Sequence, residues 1–430
     1  MQINGMCYDR CVRRGVLMKK QTLWCRNYSL LMLATTMGAI GGIAGSYALS
    51  FLVFDETGST LATGFLTAIQ ILPHFLLPIL IAPWMDRMPR KPFLVAGDLL
   101  GGILYGLAGL YLRNFEFSYS GYLLFSLVIN SINAFDSLAF NCIFPKTIPS
   151  GCEDKGYTVS AMLYPVLNVL MMPLAAVLMD TIGVANILFL QSGMSILASI
   201  TENMIVIEER RTEDGTTGGF TRWLQDFKEG FRYLKGERGL LNIYAYDAVV
   251  NGASTGIGPI LVAFFRTAPG YSAQAYAFFS AAEFIGRSLG GMVRYRSNMK
   301  PEKRRGFVYF VQQLYNLMDA ILLWLPYPAM LANRAICGFL GINSATVRSS
   351  SIHRYLPEEF RARVNAFSSA SICAAGSLMS LLIGALGEIL DYRIAMVIVA
   401  LICAICCWLT VGRNKTELDQ IYLHTVENET

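Results

Sequence analysis

The sequence predicts an all-α membrane protein with twelve spanning helices in two bundles of six. Three observations carry this. Hydrophobic residues make up 54% of the chain and charged ones only 15%, against about 25% charged in soluble domains. The apolar residues gather into runs that match a hydrocarbon core of about 30 Å, which roughly 20 helical residues cross. Finally, the basic residues alternate between the connections. Of the 35 Lys and Arg, only Arg113, Arg266 and Arg393 fall in outer loops and only Arg287 and Arg334 inside helices. The rest lie on one side, which the positive-inside rule makes cytoplasmic, with both termini there.

The elements follow in order. Residues 1–26 form a basic leader with Arg10, Arg13, Arg14, Lys19, Lys20 and Arg26. The apolar run behind it is too long for a signal-peptide core, so a retained leader that touches anionic lipid is expected. Spans are predicted at about 28–54, 60–84, 92–113, 119–145, 157–179 and 184–207, which places one bundle at 27–207. Residues 208–238 divide the chain. In them Trp223, Leu224, Phe227, Phe231 and Leu234 recur at helical spacing among charges, the pattern of an amphipathic helix at the cytoplasmic surface. Further spans are predicted at about 239–265, 271–293, 305–325, 328–350, 363–388 and 391–412, a second bundle over 239–412, followed by a cytoplasmic tail at 413–430.

The halves read as weak repeats. Gly38, Gly41, Gly42 and Gly45 in the first span face Gly252, Gly256 and Gly258 in the seventh. Setting Gly291 against Ala82 brings Tyr295-Arg296 opposite Asp86-Arg87, and Glu283 opposite His74.

The most informative stretch is Ala82-Pro83-Trp84-Met85-Asp86-Arg87-Met88-Pro89-Arg90-Lys91, a charged turn between two membrane-length runs. Pro89 and Pro92 stop the helix from running on. Asp86 suits a helix N-terminus across the bundle interface. With Thr57-Gly58-Ser59, Leu72-Pro73, Asp226-Phe227-x-Glu229-Gly230-Phe231 and Pro357-Glu358-Glu359-x-Arg361-Ala362-Arg363, this stretch resembles the major facilitator superfamily, and its macrolide-efflux-like and siderophore-exporter-like branch. The resemblance spans roughly 27–412. It departs at Ala82 and Pro89, where the family usually has Gly. It implies that Asp86, Arg87, Arg90 and Lys91 form a conformational gate, with Asp98 and Asp136 as acids that receive its arginines.

Charges inside a bilayer are costly and are either paired or functional. Glu283 is the deepest carboxylate, with Arg287 one turn away. It is either a member of an ion pair or a proton carrier. Asp319 and Arg334 lie at similar depths and suggest a second pair. His74 and Asp247 are further candidates for proton coupling.

Other classes find little support. The net charge of +5 follows topology rather than a nucleic-acid surface. Neither Cys403, Cys406 and Cys407 nor Cys7 and Cys11 has a nearby His, so no metal site or cofactor is expected. No Gly-x4-Gly-Lys-Ser/Thr sequence supports an ATP-driven pump. A membrane sensor would need an output domain, and an embedded enzyme a nucleophile elbow, and the chain shows neither. The resemblance implies a proton-coupled exporter of hydrophobic or amphipathic small molecules, monomeric in the cell membrane. An importer or a lipid flippase on the same fold stays open.

Overall fold

A computed structural model of the protein describes residues 22–85, 89–149, 152–207, 219–296 and 299–423, and every element in them is helical. The first four spans are α1 (Arg26–Thr57), α2 (Thr60–Met85), α3 (Lys91–Asn114) and α4 (Tyr119–Thr147). α1 stops at Gly58, whose φ of 61° is left-handed and whose N–H reaches the Phe54 carbonyl at 2.8 Å. Glycine takes that conformation without steric cost. The Ser118 hydroxyl accepts the Gly121 N–H at 3.4 Å and starts α4.

The fifth and sixth spans are expected as separate helices. They are two helices that meet at Gly183, whose φ of 80° and ψ of 165° are not helical; the pair, Glu153–Asn203, is labelled α5. Its 51 residues amount to roughly 75 Å of helix, enough for two crossings of a bilayer. A non-glycine residue at Gly183 would be strained, so the turn between the two crossings depends on it.

The chain continues through α6 (Gly219–Gly236), α7 (Arg238–Thr267), α8 (Ala273–Arg296), α9 (Pro301–Ile321), α10 (Tyr327–Tyr355), α11 (Glu358–Ile389), α12 (Tyr392–Cys407) and α13 (Lys415–Leu423). α9 ends in a 3₁₀ turn at Leu322–Trp324, and α12 in a π turn at Trp408–Gly412. Among the described residues, seven helices, α1, α3, α4, α5, α7, α11 and α12, are long and apolar enough to cross a membrane. α8, α9 and α10 carry the intramembrane charges Glu283, Arg287, Asp319 and Arg334.

α1 and α3 pack along α5, and α2 and α3 along α4. In the other half α7 packs on α11 and α12, α8 on α10, and α9 on α10 and α12. The two sets of helices meet along α2–α11 and α5–α8. Several crossings are close enough to exclude a side chain. A Cβ on Gly64 of α2 would strike the Ser380 carbonyl of α11. A Cβ on Gly338 of α10 would strike the Glu283 carbonyl of α8, and one on Gly286 the Ala335 carbonyl. Without a hydrophobic driving force between helices in lipid, such small-residue contacts supply the packing.

α6 occupies the place expected for the amphipathic linker and packs against α11 and α2. Tyr233 stacks on Phe360 with ring centroids 4.3 Å apart, and Phe231 meets Phe367 at 5.5 Å. The Tyr355 hydroxyl donates to Glu237 Oε2 at 2.8 Å. The tail carries a helix that the sequence does not announce: α13 buries Leu418, Ile421 and Tyr422 against the second half.

Gly338→Leu should therefore destabilise the detergent-solubilised protein by about 1–3 kcal/mol, seen as a lower melting temperature. Gly306→Ala meets open space and should leave melting unchanged or raise it. Equal melting of both variants would refute the α8–α10 contact.

Candidate functional site

A cavity of about 850 Å³ lies between the two sets of helices. α1 to α5 supply most of its wall, and α7 and α8 add Thr255, Pro259, Val262 and Tyr276. The cavity runs from the level of Phe51 down to Leu94 and Glu202, in the first turn of α3 and the last turn of α5. The volume suits a drug-sized molecule. The wall mixes aromatic groups such as Phe51, Phe140 and Tyr276 with hydrogen-bonding ones such as Ser50, Gln70 and Asn168.

The end beyond Phe51 is sealed by contacts between the halves. Arg266 of α7 grips Asp55 of α1 through two hydrogen bonds of 2.6 Å. Gln274 of α8 donates to Asp180 of α5 at 2.8 Å. The Tyr47 hydroxyl donates to the Ala273 carbonyl. Glu388, at the end of α11, sits over the N-terminus of α2. Its Oε2 accepts from Ser59 Oγ at 3.0 Å, Thr60 Oγ1 at 3.3 Å and the Leu61 N–H at 3.4 Å. A carboxylate there satisfies unpaired helix N–H groups and complements the helix dipole. Beneath these polar contacts an apolar cluster joins Tyr47, Ala48 and Phe51 to Val262, Ala263 and Ala277 across the halves.

The residues singled out from sequence fall into three groups. The first forms a buried ionic network in the second half. Arg334 of α10, with only 5% of its side chain exposed, lies 2.9 Å from Asp319 Oδ1 and 3.9 Å from Glu283 Oε2. Its guanidinium also covers the Phe279 ring at 5.2 Å. Glu283 Oε1 in turn accepts from Arg287 at 2.7 Å. Two acids and two bases thus neutralise one another. Asp247 is also paired, with Arg348 Nη2 at 2.9 Å.

The second group faces the cavity: His74 on α2, Asp98 on α3 and Asp136 on α4. His74 lies against Asn130. Asp136 packs over Gly97, whose added Cβ would lie 3.3 Å from the Asp136 Cβ. The third group is the charged turn. Asp86 and Arg87 lie outside the described residues. Lys91 Nζ donates to the Asn203 carbonyl at 2.7 Å, at the end of α5, where the dipole favours a cation. Arg90 is the residue just before α3.

Several residues of the site escape the sequence reading. Glu202 is the clearest: it is 4% exposed, lines the cavity and stands within electrostatic range of Asp98 and Asp136. The spacing of Gln191, Ser195 and Glu202 along one helix face held the signal. Asp55, Asp180 and Glu388 were missed because their partners lie in the other half of the chain.

A family model described as Major Facilitator Superfamily matches residues 29–314 and 303–421. No curated protein matches the chain. Among solved structures, a mutant form of the nucleoside transporter NupG superposes with a TM-score of 0.72 at 12% identity, covering 91% of this chain and 100% of that one. A bacterial homologue of the human lysosomal transporter Spinster, inward-facing and unoccupied, superposes with a TM-score of 0.63 at 15% identity, covering 94% and 98%. At these identities the likeness is one of fold.

Arg334→Met should strand Asp319 inside the bundle and leave Glu283 with Arg287 alone. Loss of one partner of a buried pair costs about 3–5 kcal/mol, so thermal unfolding should show a large loss of stability. Arg334→Met with Asp319→Leu should recover part of it. A single variant as stable as the parent would mean that the network does not support the fold.

Proposed function

The chain belongs to the major facilitator superfamily, and from that premise we propose that it is a secondary active transporter. It exports hydrophobic or amphipathic small molecules in exchange for protons. The observation that carries this reading is the one-sided cavity: drug-sized, walled by both halves and sealed at one end by contacts between them. A cavity closed on one side by breakable contacts is what alternating access requires.

The positive-inside rule supports placing the sealed end outside and both termini in the cytoplasm. In that orientation substrate loads from the cytoplasm of a monomer in the cell membrane. The likeness of the charged turn to efflux-type sequences favours export over import or lipid flipping. In the opposite state Asp86, Arg87, Arg90 and Lys91 would close the cytoplasmic end, with Asp98 and Asp136 receiving arginines released from the turn.

Proton coupling is assigned to the cavity. Glu283 and Asp247 each have an arginine partner, and breaking a buried ion pair to load a proton is expensive. His74 meets the cavity directly and titrates near neutrality in ordinary surroundings.

Flux in proteoliposomes with an imposed pH gradient tests this reading, read with a panel of lipophilic dyes and antibiotics. Dye should move against its own gradient when protons flow the other way, and His74→Asn should lose this drive while still binding dye. Flux indifferent to the pH gradient would refute proton coupling, and movement in the same direction as protons would reassign the chain as an importer.

A second test addresses the seal. Asp55→Asn combined with Glu388→Gln should shift the protein toward the outward-open state. A cysteine placed at Ser50 should then react several-fold faster with a membrane-impermeant thiol reagent from the side of the α1–α2 turn. An unchanged rate would mean that these contacts do not hold the outer end shut.

A further inference from the structure

On the transporter reading above, we infer that the lower part of the cavity is a binding site for the charged head of an organic cation. Asp98, Asp136 and Glu202 hold it, and the polar stripe on α5 flanks it.

These carboxylates come from three different helices, α3, α4 and α5, and all line the same cavity. They are near enough to act on one another electrostatically. Among the described residues, none of them has an ion-pair partner, and no Lys or Arg lines the cavity. The second half shows the contrast: there every intramembrane acid has an arginine within reach. Carboxylates crowded together without a counter-charge favour a bound cation, which supplies that charge and stabilises their ionised forms.

Two unpartnered groups of the site itself point to an absent ligand. Glu202 is 4% exposed, and its Oε2 has no hydrogen-bond partner. Asp136 Oδ1, on α4, is likewise buried and without a hydrogen-bond partner. Buried polar atoms of this kind are rare and costly unless something satisfies them.

The arrangement also speaks to the kind of cation. Among the described residues, no three acidic, His or Cys side chains converge closely enough to chelate a metal ion. An organic cation needs no such convergence, only acids and ring faces spread around it. Tyr164, in electrostatic contact with Asp98 and Asp136, and Phe140 supply aromatic surface beside them. Ring faces attract cations and also accept apolar groups. A monovalent organic cation with an apolar body satisfies both features, its charge among the acids and its body toward Phe51 and Tyr276.

The test is equilibrium binding to the purified full-length protein in detergent, with two probes of similar shape. Tetraphenylphosphonium carries a permanent charge, and triphenylphosphine oxide carries none. Glu202→Gln and Asp136→Asn should each weaken tetraphenylphosphonium by about tenfold or more. They should change triphenylphosphine oxide by less than twofold, which also shows that the variants are folded. Glu116→Gln removes an exposed acid outside the cavity and should change neither. Unchanged tetraphenylphosphonium affinity, or equal loss for both probes, would overturn the proposal. Displacement of the probe by excess sodium would overturn it too, in favour of an inorganic cation. Because no gradient is involved, a failure here stands apart from a failure of proton-driven export.

Discussion

In hydrocarbon an ionised side chain has only two ways to persist: beside a counter-charge or at a wetted surface. This constraint sorts the halves of the chain. In the second half Arg334 is held between Asp319 and Glu283, and Glu283 is shared with Arg287. The network joins α8, α9 and α10. In the first half Asp98, Asp136 and Glu202 turn toward the cavity. One half spends its charge on cohesion, the other presents it to what enters. The two halves thus differ strongly in their electrostatics.

Alternation between two states demands that the halves hold together internally and part easily from each other. Within each half the chain uses buried apolar clusters and close glycine crossings. Between halves, at the sealed end, it adds polar contacts of a different kind. Asp55 and Arg266 are 29% and 38% exposed at the side chain, and exposed pairs contribute about 0–1 kcal/mol each. Glu388 can exchange its helix N-terminus for water at little cost. The polar part of the seal is thus specific in geometry and modest in energy, and the apolar cluster of Tyr47, Phe51, Val262 and Ala277 adds burial beneath it.

The spans were legible because membrane thickness sets one length scale and the basic residues mark every second connection. Asp319 and Arg334 were legible as partners because equal depth in neighbouring helices suffices to suggest a pair. The break inside α5 was legible too: spans at 157–179 and 184–207 leave Gly183 between them, where the backbone takes its positive φ. Glu202 was missed for a physical reason: it lies one residue from a helix end, where sequence suggests a solvated surface group, yet the wall of α1 to α5 buries it. Glu388 and Asp55 depend on contacts about 330 and 210 residues away, and no local pattern encodes those.

The repeat register sharpens the asymmetry. It places His74 of α2 opposite Glu283 of α8. If the halves had kept equivalent roles, both would face the cavity or both would be paired. Instead His74 is exposed to the cavity, whereas Glu283 sits between two arginines. Moving Glu283 into the cavity would leave Arg287 and Arg334 with less compensation, so the network resists that exchange. A half with an internally neutral network can move as one body without changing its own charge balance. On the proposed function, changes of charge by proton or cation then fall to the half whose carboxylates are already turned to the cavity.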